Sequence, residues 1–308
     1  TMPAAMHAAV PELEPETVTA LFVGLSVRPC TGEKPMPNMA ASGIEVLATH
    51  TAPASMSFAV TVPANGRLSF RAQLLAPPVD TGASSDGAVV VVEATRAGVD
   101  LELGRQFLAP GDSQYVAVDL SSHVGAELEL RIRTLPVGNS QLDYVLIGDP
   151  SLYTPETDPR RVLLVFVDTL RPDRMGLYGH DRDTTPVLDA LAAEAVVFDQ
   201  ARAPSSWTLP SGRSSVTGRW PDRWDAGPHL GELLGQEGWA TVAVVTNSYM
   251  TEAFGMAQGW SVHQSNMGIR ADKEVRRALD LIEDYEDRDL LLWLHLIDPH
   301  LPYTEAAE

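Results

Sequence analysis

The chain has 308 residues, 44% hydrophobic and 20% charged, a balance that suits a globular protein with room for two cores. Its net charge of −19 divides almost evenly between the two halves, which leaves no basic face for nucleic acid. No apolar run approaches the ~20 residues of a membrane-spanning helix, and the single cysteine, Cys30, rules out an internal disulfide and reads as a semi-buried thiol.

The first half reads as all-β. Short alternating or β-branched runs fall at residues 21–27, 44–48, 57–62, 67–74, 88–94, 99–103, 115–120, 127–134 and 142–147. Turn clusters such as Pro63-Ala64-Asn65-Gly66 and Pro110-Gly111-Asp112-Ser113 separate them. Strands at this spacing, with no helical stretch, predict a jelly-roll-like sandwich. Glu127-Leu128-Glu129-Leu130-Arg131-Ile132-Arg133 alternates strictly, so one face of that strand meets water. The few aromatics (Phe22, Phe58, Phe70, Phe107, Tyr115 and Tyr144) mostly fall at inward positions, which favours core packing over a glycan platform. The sandwich is therefore expected to be an accessory domain over residues 1–153. A proline-containing linker follows at 154–159, and a second domain spans 160–308.

That second domain alternates strand and helix patterns. Val162-Leu163-Leu164-Val165-Phe166-Val167 is an unbroken apolar run of strand length that stops at Asp168, the signature of a strand buried on both faces of a parallel sheet. Helices are expected at 186–195, 229–238 and 272–285, the last burying Val275, Leu279 and Ile282, with Asp272 as N-cap. An apolar edge is expected at Val196-Val197-Phe198, and strands at 241–246 and 290–297. This order predicts a mostly parallel α/β sheet with helices on both faces. In such sheets the chemistry lies beyond the carboxyl ends of the strands, which is where Asp168, Asp298 and His300 fall.

Ser206-Trp207-Thr208-Leu209-Pro210-Ser211-Gly212-Arg213 is a hydroxyl-rich turn that leads into a helix. Pro210 suits the first helical position, which sets Thr208 just ahead of a helix start that favours anions. Thr208 as N-cap hydroxyl and Thr208 as nucleophile use the same oxygen and the same geometry. Asn247 either lines the pocket or closes a turn, and Arg171 pairs with Asp168, with a bound oxyanion, or with a loop carboxylate. His263 and His295 read as structural.

Asp168-Thr169-Leu170-Arg171-Pro172-Asp173, Tyr178-Gly179, Thr185-Pro186-Val187-Leu188-Asp189, Thr208-Leu209-Pro210-Ser211, Thr217-Gly218 and Asp298-Pro299-His300-Leu301-Pro302-Tyr303 come in the order and spacing of the sulfatase family. The stretch from Arg160 to Tyr303 thus resembles that family, which belongs to the alkaline-phosphatase-like superfamily and shares its α/β fold. The resemblance implies a metal-dependent hydrolase of sulfate or phosphate esters, small or glycan-borne. It makes Asp168 and Thr208 the metal-contacting residues, Thr208 the nucleophile, and His300 the group beside the ester or its leaving alcohol. Arg171, Arg213 and Asn247 become candidate substrate contacts. The implied cofactor is a divalent metal ion, calcium or magnesium with oxygen ligands alone, zinc or manganese where histidines join.

Three positions depart from the family pattern. Thr169 stands where a second aspartate often follows the first, Thr208 where cysteine or serine is usual, and Gly212 where the signature has arginine, with Arg213 one place later. Family members continue past the last motif to further metal ligands, so a C-terminal segment or a second chain is expected to complete the site. The opening on Thr1 favours an exported protein, periplasmic or extracellular. The alternative is an inactive sulfatase-like binding module.

Overall fold

Apolar side chains that recur at every second position make strands, because the pleat sends alternate residues to opposite faces. The computed structural model describes residues 55–75, 85–138, 143–223 and 227–301. The expected strands at 21–27 and 44–48, with Phe22, Cys30, Pro302 and Tyr303, lie outside them. The chain divides into two units. The first runs to Arg160 and takes in Gln236–Trp239 and Asp284–Asp289, and the second holds the remainder.

Among the described residues seven strands build the first unit: β1 (Ser55–Thr61), β2 (Arg67–Leu74), β3 (Ala88–Arg96), β4 (Val99–Leu108), β5 (Ser113–Asp119), β6 (Glu127–Pro136) and β7 (Val145–Tyr153). They form two antiparallel sheets, in the orders β1-β6-β3-β4 and β5-β2-β7. Both sheets supply one core, in which Phe58, Leu68, Phe70, Val90, Leu130, Ile132 and Ile147 are buried. Each such side chain contributes about 1.5–3 kcal/mol by leaving water. The alternation read in β6 holds, with Leu128, Leu130 and Ile132 inside. β3 turns into β4 through Ala97 and Gly98 alone, both at positive φ (50° and 79°), the paired left-handed geometry that matches strand twist. Phe58 and Phe70 pack in the core, whereas Phe107 lies 49% exposed.

The second unit carries β8 (Arg161–Val167), α1 (Pro186–Ala192), α2 (Thr208–Thr217), α3 (Leu230–Gln236), β9 (Ala240–Val245), β10 (Val262–Ser265), α4 (Ala271–Glu283) and β11 (Leu290–Leu296). The strands form one parallel sheet in the order β10-β9-β11-β8. It is the parallel α/β sheet expected from the sequence, with α4 packed on β9 and β11. The continuous apolar run of β11 is buried, as a central parallel strand requires.

Several local expectations need correction. β8 is an edge strand with β11 as its neighbour, and Val162, Leu163 and Val165 are 44%, 61% and 45% exposed among the described residues, so it is not buried on both faces. Val196-Val197-Phe198 forms no strand and stays largely exposed. In α4 the buried stripe is Glu274, Ala278 and Leu281, while Leu279 faces out. Asn266 Nδ2 donates to Glu274 Oε1 at 2.5 Å and satisfies the buried carboxylate, which lets the helix rotate that face inward. Asp298, not Asp272, caps α4: the Ala271 N–H donates to its carboxylate at 2.9 and 3.0 Å. β10 was not expected, because Val262-His263-Gln264-Ser265 is short and half polar.

Candidate active site

The parallel register sets the carboxyl ends of β8, β9 and β11 side by side, with Val167 opposite Leu296 and His295 opposite both Phe166 and Val245. The Asp168 N–H donates to Leu296 O at 2.8 Å and extends the ladder by one residue. The chain then leaves the sheet through Thr169 at φ 58°, a left-handed conformation that a β-branched residue resists. That departure leaves the buried Asp168 side chain at the sheet end.

Three elements converge on it. From the start of α2, Thr208 Oγ1 donates to Asp168, 3.2 Å from Oδ2 and 3.4 Å from Oδ1. After β9, Asn247 Nδ2 donates to Oδ2 at 2.8 Å, while its Oδ1 accepts from the Tyr249 N–H at 2.9 Å. Asn247 is therefore both a turn residue and a site residue. From β11, His295 Nε2 lies 3.4 Å from Oδ2, within ion-pair range but outside hydrogen-bond alignment. Burial pushes the Asp168 carboxyl up, but His295, Asn247 and Thr208 together outweigh it and hold it below the usual carboxylate range.

The helix starts two residues earlier than the sequence suggests. Thr208 is the first helical residue of α2, after the extended Trp207, and Pro210 is the third. Proline is tolerated there because the first-turn N–H groups have no partner within the helix. Thr208 thus presents its hydroxyl to Asp168 from inside the first turn instead of capping it. Gly212 answers the missing arginine: a β-carbon there would lie 2.1 Å from Cε of the fully buried Met250. Arg213 hydrogen-bonds the Phe254 carbonyl instead.

The other expected residues fall elsewhere. Arg171 forms a bidentate pair with Asp173 at 2.9 and 2.7 Å on the surface, the loop-carboxylate reading of the three. His300 is exposed, with Nδ1 2.7 Å from Leu301 O. Asp189 accepts from the Leu177 N–H at 2.8 Å and from Thr185 Oγ1 at 3.0 Å, so that motif builds the loop after Asp168. His295 was missed: one histidine in Leu-Leu-Leu-Trp-Leu-His-Leu looks like a core residue, and only its place next to the strand end hinted otherwise.

Among the described residues no group of three or more His, Cys, Asp or Glu side chains gathers. Asp168, the Thr208 hydroxyl and His295 Nε2, which has no hydrogen bond, nonetheless form a convergent oxygen and nitrogen set that fits a divalent cation in part. No helix among the described residues is long and apolar enough to cross a membrane.

Residues 160–308 match the family described as Sulfatase. Arylsulfatase A from Homo sapiens is 34% identical over 108 residues, 33% of this chain and 21% of that protein. Iduronate 2-sulfatase from Homo sapiens is 38% identical over 78 residues, 25% of this chain and 14% of that protein. Phosphoethanolamine transferase EptC from Escherichia coli (strain K12) is 30% identical over 163 residues, 47% of this chain and 28% of that protein. The solved C-terminal periplasmic domain of EcEptC from Escherichia coli aligns at 24% identity and TM-score 0.41, over 49% of this chain and 46% of that one. The matches span 14–28% of the curated relatives and 46% of the solved domain. The likeness to the sulfatase family is thus carried by residues 160–308.

Proposed function

We propose that this chain is the nucleophile-bearing part of a metal-dependent enzyme that cleaves or transfers at a sulfate or phosphate ester, with Thr208 as the attacking group. The observation that carries this reading is the Thr208 hydroxyl held against a buried carboxylate at a helix start. Because the hydroxyl donates to Asp168, its lone pairs face away from the carboxylate and toward any ester brought to the open end of α2. Asp168 is the nearest acceptor for the proton that Thr208 loses on attack. The first-turn amides of α2 favour the anionic group that attack requires. A divalent cation bound by Asp168 and Thr208 would add positive charge that lowers the hydroxyl pKa and offsets the charge of the ester.

Threonine in place of cysteine or serine favours direct ester transfer through Thr208. A phosphoethanolamine transferase among the relatives fits that chemistry better than the arylsulfatases, whose family pattern has cysteine or serine at this position. His300, from the surface loop after β11, is the candidate group for the leaving alcohol. The test is hydrolysis of p-nitrophenyl sulfate, p-nitrophenyl phosphate and a phosphodiester, by wild type and by Thr208→Ala. Turnover of at least one substrate, lost by about a thousandfold or more in Thr208→Ala, is the expected result. Turnover that survives in Thr208→Ala would remove threonine from the nucleophile role.

A further inference from the structure

His295 has no hydrogen bond at Nε2, yet that atom lies 3.4 Å from Asp168 Oδ2. The side chain is fully buried, so water does not solve the problem. Its other nitrogen, Nδ1, lies 3.5 Å from Thr246 Oγ1. Thr246 has one hydroxyl proton, and it goes to the carbonyl oxygen of His295 at 3.0 Å. Thr246 therefore offers Nδ1 only lone pairs, which makes Nδ1 the protonated nitrogen. Nε2 faces a carboxylate oxygen with no hydrogen bond of its own.

Oδ2 has other donors beside the histidine. It already accepts from Asn247 Nδ2 at 2.8 Å and from Thr208 Oγ1 at 3.2 Å. A fully buried ring nitrogen and a carboxylate oxygen that face one another without a hydrogen bond are an arrangement that a cation between them resolves. The spacing agrees: two bonds of ~2.0–2.1 Å at a tetrahedral angle set their donors about 3.3 Å apart. The stacking of His295 on Phe166, with ring centroids 5.3 Å apart, fixes the direction of the ring.

We infer that His295 Nε2 and Asp168 hold one divalent cation between them, with Thr246 fixing the histidine tautomer, so that the site takes zinc or manganese in preference to calcium or magnesium. The inference rests on the metal-dependent reading above and adds a nitrogen ligand to it. A metal-bound histidine ordinarily directs its second nitrogen to a fixed neighbour, and here that neighbour is the Thr246 hydroxyl.

The test uses the full chain, stripped with a chelator and titrated with cobalt(II) by visible absorption, and with zinc by 15N NMR of labelled histidine. Wild type is expected to take up cobalt, and zinc is expected to shift one imidazole nitrogen that is missing from the His295→Gln spectrum. His295→Gln should weaken cobalt binding at least about tenfold with an unchanged circular dichroism spectrum, and Asp168→Asn should do the same. The NMR measurement on wild type stands even where a variant folds poorly. If wild type binds cobalt, Asp168→Asn weakens it and His295→Gln does not, the inference fails while the metal-dependent reading survives. If wild type binds neither ion, both fail.

Discussion

The two units use buried polarity in different ways. Among the described residues the first unit buries five polar side chains: Ser69, Ser85, Thr134, Asp143 and Arg288. Ser85 and Asp143 pair with one another at 2.5 Å. The α/β unit buries Asp168, Ser211, Ser214, His229, Thr241, Thr246, Asn247, Glu274 and His295. Four of these, Asp168, Thr246, Asn247 and His295, meet at the carboxyl ends of three strands. An antiparallel sandwich gains its stability from alternation and needs few interior polar groups. A parallel sheet stops its apolar runs at one end, and the polar residues that follow are brought together there. The lesson is that clustered buried polarity marks a candidate site, and dispersed buried polarity marks structure.

Large losses in the sandwich should therefore come from apolar deletions. Phe70 is 1% exposed at the centre of the two-sheet core, and Phe70→Ala is expected to cost about 3–5 kcal/mol, read as a shifted guanidinium midpoint. A cost under about 1 kcal/mol would mean that the core collapses around the gap, and the contrast with the site would weaken.

Acid should act on the two units with opposite signs. Burial lowers the His263 imidazole from its ordinary value of 6.5 to about 4. Between those values the unfolded chain binds a proton that the folded chain refuses. That stability is complete above pH 6.5 and is lost as the pH falls toward 4, a total of about 3 kcal/mol. In the sandwich, burial pushes the Asp143 carboxyl up, opposed by the Ser85 hydroxyl. The folded state then takes a proton before the unfolded chain does, and acidification stabilises it. Urea melts between pH 7.5 and 4.5 should show a shallower acid loss in His263→Gln and a steeper one in Asp143→Asn. The same change from both variants would break the comparison.

The smallest effect concerns the exit from β8. Thr169 holds φ 58°, where glycine carries no penalty from a β-carbon. Thr169→Gly is expected to stabilise the protein by up to about 1 kcal/mol, a rise of a few degrees in Tm. A fall in Tm would show that the threonine side chain contributes more than its strain costs.

Much of the architecture was legible before any coordinates. Period-two alternation marks β6, and unbroken apolar runs mark β8 and β11 as strands, although only β11 is buried as its run implies. Asp168 and Thr208 were legible for the same kind of reason: one ends an apolar run and the other precedes a proline at a helix start. Less legible were the edge position of β8, the rotation of α4 about Glu274, and the cap supplied by Asp298. Each depends on partners far away in the chain, and local patterning carries no information about them.

The sequence by itself determined most of the strand and helix inventory of the described residues, β10 excepted, the sulfatase resemblance, and an aspartate and a threonine as the candidate centre. Only the tertiary structure decided which neighbours that aspartate has. The parallel register of β8, β9 and β11 brings Asn247 and His295 to Asp168 across separations of 79 residues and more. It leaves Arg171 and Arg213 in contacts of their own. A strand's side-chain pattern says that a residue is buried; the sheet order says against what, because hydrogen-bonded neighbours are chosen by the packing of the whole unit and not by the run itself.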